Sequence, residues 1–128
     1  MDDTLSTTIN TSATYIDIEN PYYLHSSDDT GISLIGTPLV GIENDTSWAL
    51  AMTMALRSIN KFCFVDGTLA MPDISHPDHA RWQTVNNIVM SWILNSIHPS
   101  LAHTVLYAPD VATVWSDLKD RFFMANGP

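Results

Sequence analysis

Three short patterns in this 128-residue sequence contain side chains that could do chemistry. The first, Asp29-Thr30-Gly31, matches the triplet of aspartic proteases, in which two such carboxylates share one proton. That chemistry needs a rigid buried loop after an apolar strand, whereas a polar stretch, 25–28, precedes the triplet here. Because Asp and Gly both favour turns, we interpret the triplet as a turn.

The second and third patterns are a pair of histidines and a single cysteine. His76 and His79 lie three residues apart, with Asp73 and Asp78 nearby. A zinc site needs three or four ligands in fixed geometry, and Cys63 has no CxxC partner that would supply more of them. We therefore predict ordinary polar histidines in a loop. Cys63 lies among apolar residues, which favours a buried, inert thiol over a nucleophile.

The remaining polar residues form no pattern of a reaction centre. His98 and His103 are expected at the surface or at helix ends, and no Ser-His-Asp or Cys-His arrangement is readable. The sequence also has no phosphate-binding loop and no dinucleotide fingerprint. We therefore predict no catalytic residue, no metal or cofactor site, no small-molecule substrate and no enzymatic activity.

The charge is strongly acidic and unevenly distributed. The chain has 14 acidic and 5 basic residues, a net charge of -9, and residues 1–47 contain no Lys or Arg. Acidic surfaces repel phosphate backbones, so we do not expect nucleic-acid binding through this segment alone. No run of apolar residues is long enough to span a membrane, so we do not expect a membrane as a partner. The acidic start and the single cysteine predict a cytoplasmic, reducing location.

The first third of the chain lacks a clear helical period. Residues 1–20 are rich in Ser and Thr and predict a disordered acidic tail. In residues 21–43 the apolar part is broken by Gly36 and Pro38, which indicates a short extended segment or a small hairpin.

From Asn44 onward apolar residues recur every three or four positions, which predicts helices. Asn44 is a plausible N-cap of a first helix over 45–60. A second helix should begin near Pro77-Asp78, a third should span 99–107 and a fourth 109–124. Between the first two, the apolar run 62–65 should be buried at a turn. The fold class is therefore all-α, a small bundle of about four helices, with residues 21–128 as one domain.

The apolar stripes predict which side chains anchor the core. We interpret the Trp and Met stripes as helical core rather than as a binding groove, with some part left exposed for assembly. The predicted core anchors are Trp48, Met52, Leu56, Trp82, Val89, Trp92, Trp115, Leu118 and Phe122.

Several blocks of the sequence, in the same order, resemble the Gag segment of plant copia-type LTR retrotransposon polyproteins. Together they extend over roughly residues 20–128. The blocks are Asn20-Pro21-Tyr22-Tyr23-Leu24-His25-Ser26-Ser27-Asp28, Trp48-Ala49-Leu50-Ala51-Met52-Thr53-Met54-Ala55-Leu56-Arg57, Asn60-Lys61-Phe62-Cys63-Phe64-Val65-Asp66-Gly67-Thr68, Pro72-Asp73, Ser91-Trp92-Ile93-Leu94-Asn95-Ser96, Val114-Trp115-Ser116-Asp117-Leu118-Lys119-Asp120-Arg121-Phe122 and Asn126-Gly127-Pro128.

The resemblance implies a helical, capsid-like N-terminal Gag domain, truncated at its C-terminus. It also implies a structural function, namely self-association with other Gag copies into particles that package element RNA. The zinc knuckle through which this family contacts nucleic acid lies downstream and is absent from this chain. Two alternatives remain open: an RNA-binding module of Gag, or a decayed or domesticated copy that acts as a protein-interaction domain. An aspartic protease fragment is a third hypothesis.

Overall fold

The computed structural model describes residues 20–102, 105 and 108–123. The described residues contain five α-helices and no β-strand, which confirms the predicted all-α fold class. The helices are α1 (Asp45–Ser58), α2 (Phe62–Val65), α3 (His79–Asn95), α4 (Pro99–Ala102) and α5 (Val111–Leu118), and α5 continues into one π-helical turn (Lys119–Phe123). The predicted tail, residues 1–20, lies outside the described residues except for Asn20.

Helix α1 ends two residues earlier than its apolar pattern suggests. Asn60 has a left-handed backbone (φ 60°), and its N–H donates to the carbonyl of Arg57 at 3.1 Å. The N–H of Lys61 donates to the carbonyl of Leu56 at 2.8 Å. These two bonds form a Schellman ending, in which Asn takes the position that Gly usually occupies. The chain then enters α2 directly, so the apolar run 62–65 forms a single helical turn, in which Phe64 and Val65 are buried.

The start of α1 also differs in detail from the prediction. Asn44 does precede the helix, but its side chain makes no capping hydrogen bond. Its amide group instead accepts from the N–H of Val40 at 3.0 Å and donates to the carbonyl of Pro38 at 2.8 Å. Asn44 therefore fixes the segment before the helix, because its side chain satisfies backbone groups that no strand pairs.

Residues 20–43 form a series of turns with one short extended stretch, and no hairpin. Leu39 makes a single parallel β-bridge with Ile97, just after α3. The N–H of Leu39 donates to the carbonyl of Ser96 at 2.9 Å, and its carbonyl accepts from the N–H of His98 at 2.8 Å. The side chain of Leu39 is fully buried. Residues 20–43 thus contain one bridging residue, Leu39, and no hairpin.

The later helices are shorter than their patterns indicate. Helix α3 begins one residue after Asp78. Helix α4 covers Pro99–Ala102, and residues 103, 104, 106 and 107 of the third predicted helix lie outside the described residues. Helix α5 begins at Val111 because the carboxylate of Asp110 caps it, accepting from the N–H of Thr113 at 2.8 Å.

The core lies between one face of α3 and the inner sides of α1, α2 and α5. Phe122 is half-buried and packs against this core. The indole rings of Trp48 and Trp115 lie 5.9 Å apart, and the rings of Phe64 and Trp82 lie 5.8 Å apart. The other eight predicted anchors are buried: Trp48, Met52, Leu56, Trp82, Val89, Trp92, Trp115 and Leu118.

Trp48, Trp82 and Trp92 also bind segments outside the helices through their indole N–H groups. Trp48 donates to the carbonyl of Ser96 at 2.8 Å, and Trp82 donates to the carbonyl of Leu69 at 2.8 Å. Trp92 donates to the carbonyl of Asp29 at 2.7 Å. A buried indole N–H needs such an acceptor, so each ring joins a loop to the core as it fills space.

We expect Trp92→Ala to lower the free energy of unfolding by about 3–5 kcal/mol, because the ring is fully buried and leaves a cavity. Chemical denaturation monitored by circular dichroism measures the loss. Ile74→Ala is the matched control, since Ile74 is 81% exposed and should change stability by no more than about 0.5 kcal/mol. An unchanged denaturation curve for Trp92→Ala would contradict the central position of this ring.

A second stability prediction concerns Asn86, which is 3% exposed in the middle of α3. Its carboxamide oxygen accepts from the N–H of Val111, the first residue of α5, at 2.9 Å. Asn86→Ala leaves that N–H buried without a partner, so we expect a loss of about 1–3 kcal/mol. Gln83→Ala, at an exposed position of the same helix, is the control and should change stability by no more than about 0.5 kcal/mol in the same denaturation assay. A loss for Asn86→Ala as small as the loss for Gln83→Ala would mean that this hydrogen bond contributes nothing.

Candidate functional site

The protease-like triplet is an exposed turn that is attached to α3. The carboxylate of Asp29 accepts from the N–H of Gly31 at 2.8 Å, within its own turn. Asn95 donates to the carbonyls of Thr30 at 2.7 Å and Ile32 at 3.1 Å, next to the Trp92 contact with Asp29. The carboxylate therefore stabilises a surface turn. It does not lie on the rigid buried loop that paired-aspartate catalysis requires.

The histidines organise the backbone around them. His76 Nδ1 accepts from the N–H of Asp78 at 3.0 Å, and His79 Nδ1 lies 2.8 Å from the carbonyl of Pro72. His98 Nδ1 accepts from the N–H of Ser100 at the start of α4. His103 lies outside the described residues. Within the described part of the chain, no three His, Cys, Asp or Glu side chains are grouped so that they could hold a metal ion.

Cys63 is half-buried beside a cleft of about 340 Å³ that Arg57 and Asp66 also line. Burial raises the pKa of its thiol, and Asp66 raises it further. The Asn60 carbonyl lies 3.9 Å from the sulfur. Because only a thiolate is an effective nucleophile, this environment favours an unreactive cysteine.

Lys61 is, with Asp45, one of the two buried charged residues in the described part of the chain, and it is only 2% exposed. Its ammonium donates to the carbonyl of Ile59 at 3.3 Å. Burial lowers the pKa of Lys61, while the nearby carboxylate of Asp28 acts in the opposite direction. Composition and spacing gave no signal for this burial, since lysine is almost never placed inside a protein.

Helix α1 is apolar on two sides. Its inner side carries the buried Trp48, Met52 and Leu56. Its outer side carries Leu50 and Met54, each 62% exposed and four residues apart on one face. Arg57 follows three residues later, with its guanidinium 5.0 Å from the centroid of the Phe62 ring. We call Leu50, Met54 and Arg57 the α1 surface.

A second exposed apolar group lies on the loop between α2 and α3. Ile74 is 81% exposed and Met71 is 52% exposed. The loop has a defined shape, because the carboxylate of Asp73 accepts from the N–H and the hydroxyl of Ser75 at 3.1 and 2.6 Å. The same bonds hold the pKa of Asp73 below its ordinary value, so this carboxylate stays ionised near neutral pH. We call Met71, Asp73 and Ile74 the loop surface.

These two surfaces are suited to contact with another macromolecule, because neighbouring exposed apolar side chains gain free energy when they are covered. The sequence predicted that part of the apolar stripes stays exposed for assembly, but it did not identify which residues are exposed. A signal was present: Leu50 and Met54 have helical spacing yet lie outside the stripe of Trp48, Met52 and Leu56. Ile74 had no such signal, since no period governs a loop.

None of the helices in the described ranges has the length and apolar character that crossing a lipid bilayer requires.

Comparison with known proteins gives one family. Residues 25–73 match the model described as Gag-polypeptide of LTR copia-type. The match begins before the triplet turn, includes α1 and α2, and ends at Asp73 in the loop surface. The comparisons with curated proteins and with solved structures give no match. The family model thus supports the resemblance of the sequence blocks that lie within residues 25–73, and this part of the chain is similar to a copia-type Gag polypeptide.

Proposed function

We propose that this domain is a structural, non-catalytic module that binds other copies of itself and so contributes to the assembly of retrotransposon particles. The observation that supports this proposal most directly is the exposure of Leu50 and Met54 on a helix whose opposite side is already in the core. The family match provides the retrotransposon origin. A plant host and a cytoplasmic place of assembly belong to the same proposal.

The distribution of charge favours α1 as the site of contact. Two copies with a net charge of -9 repel each other. The stretch from Thr46 to Val65 contains no acidic residue, and its exposed basic residue is Arg57, since Lys61 is buried. Approach through this stretch therefore sets no acid against acid, and apolar contact can stabilise an assembly there.

One such contact is expected to be weak. Covering a Leu or Met side chain completely contributes about 1.5–3 kcal/mol, and association itself costs several kcal/mol in lost freedom of motion. Weak contacts become effective when many are made in one assembly, because binding at one site raises the effective concentration at the next.

The RNA-binding alternative is weaker. Binding to a phosphate backbone depends on clustered Lys and Arg, and the five basic residues of this chain are scattered. Two of the five basic side chains are not free to bind phosphate in the structure. Lys61 is buried, and the guanidinium of Arg81 lies 3.8 Å from the carboxylate of Asp78. We therefore do not propose nucleic-acid binding by this domain alone.

The proposal predicts that the mean mass of the wild-type chain rises with protein concentration in analytical ultracentrifugation, up to about 1 mM, the range of weak complexes. Added salt should strengthen the association, because it screens the repulsion between acidic copies. Leu50→Asp should remain monomeric at the concentrations where the wild type associates. Gln83→Asp, which introduces the same charge at an exposed position of α3, should associate like the wild type.

A wild type that stays monomeric throughout this series would contradict the proposed function. RNA binding by the same samples, with an affinity that falls as salt rises, would instead support the alternative, because the salt dependence then has the opposite sign.

A further inference from the structure

The way in which copies pair determines what they can build. A patch that binds its own equivalent closes after two copies, whereas two different complementary patches continue from copy to copy and form rings or filaments. The α1 surface and the loop surface are two of the exposed apolar groups of the described residues, which also include Val40 and Ile42, and they carry charges of opposite sign on Arg57 and Asp73. Their chemistry indicates which of the two patterns applies.

We propose that the loop surface of one copy docks on the α1 surface of the next, head to tail, with Ile74 and Met71 covering Leu50 and Met54 and with Asp73 facing Arg57. This inference rests on the proposed function, since it specifies how the copies associate. The occupant of the α1 surface is a second copy of this chain.

Charge supports this pairing over the two symmetric ones. The charged residue of the α1 surface is Arg57, so two α1 surfaces that meet would bring one cation towards another. Two loop surfaces would bring one Asp73 towards another, and like charges disfavour that contact. The pairing of unlike surfaces is the one in which Arg57 and Asp73 meet.

Both surfaces are also held in shape before they meet. The loop is fixed by the bonds from Ser75 to the carboxylate of Asp73 and by the bond from the N–H of His76 to the Asp73 carbonyl at 2.8 Å. Arg57 is held over the Phe62 ring. Groups that are already ordered lose little freedom on binding, so a small contact can still be specific.

A contact formed by three residues on each side is smaller than a standard stable interface, which buries about 1,200–2,000 Å². We therefore expect weak, reversible chains of copies rather than a tight dimer. The distribution of masses should broaden beyond two copies as the concentration of the wild type rises.

The test mixes two single-surface variants in sedimentation equilibrium, using the full chain. Leu50→Asp keeps an intact loop surface, and Ile74→Asp keeps an intact α1 surface. Each variant alone should be monomeric at concentrations where the wild type forms species larger than dimers. Their equimolar mixture should form a one-to-one pair and nothing larger, because only one complementary contact is then possible. Both positions are exposed, so melting curves should match the wild type.

Charge reversal gives an independent readout. Arg57→Asp should weaken wild-type association by about tenfold or more, because it places a second carboxylate opposite Asp73 and leaves the bonds from Ser75 to Asp73 intact. The matched control is Arg81→Asp, which makes the same charge change at an exposed position on α3 and should leave association within about threefold of the wild type.

The outcomes separate this inference from the proposed function. Association of Ile74→Asp alone at wild-type strength would overturn the head-to-tail pairing and leave self-association standing. A mixture of Leu50→Asp and Ile74→Asp that stays monomeric, while the wild type associates, would overturn it as well. A monomeric wild type would overturn both.

Discussion

A buried tryptophan has to satisfy its single indole N–H, and in this domain that requirement joins core to loops. Trp48, Trp82 and Trp92 place their rings among the helices and donate to carbonyls at Ser96, Leu69 and Asp29. The acceptors lie in segments with almost no regular structure of their own. Ordering these segments when the chain folds costs conformational entropy. The burial of each indole ring, together with its hydrogen bond, offsets that cost. The turn at Asp29 and the loop after α2 are therefore determined by the core.

The helices could be predicted because their apolar residues repeat with the period of the α-helix. The face of α3 from Trp82 to Ile93 follows from spacing alone, and the structure has it buried. The prediction was weaker where a single side chain decides the geometry. Asn60 ends α1 through a left-handed backbone that spacing does not record. Asn44 has the position of a cap but binds the backbone of residues 38–40 instead.

Residues 20–43 and the candidate surfaces could not be predicted, for a different reason. A segment that is ordered by distant groups carries no local period, so Leu39 gave no sign that it would pair with Ile97 and become fully buried. Whether an apolar side chain is exposed also depends on the whole fold and not on the local sequence. Leu50 and Met54 are apolar residues on an apolar helix, and only the position of α1 against its neighbours separates them from Met52. The family match also covers the α1 surface and ends within the loop surface, so it does not distinguish core from contact.

The hydrogen bond between Asn86 and Val111 has a consequence for how the chain folds. Helix α5 has eight residues, fewer than an isolated helix needs to persist in water. The N–H of its first residue, Val111, donates to the side chain of Asn86 in α3, which is 25 residues away in the sequence. Helix α5 therefore forms only once α3 is in place, and opening of α3 releases it. In hydrogen exchange the two helices should behave as one cooperative unit, with common protection, although a long stretch of chain separates them.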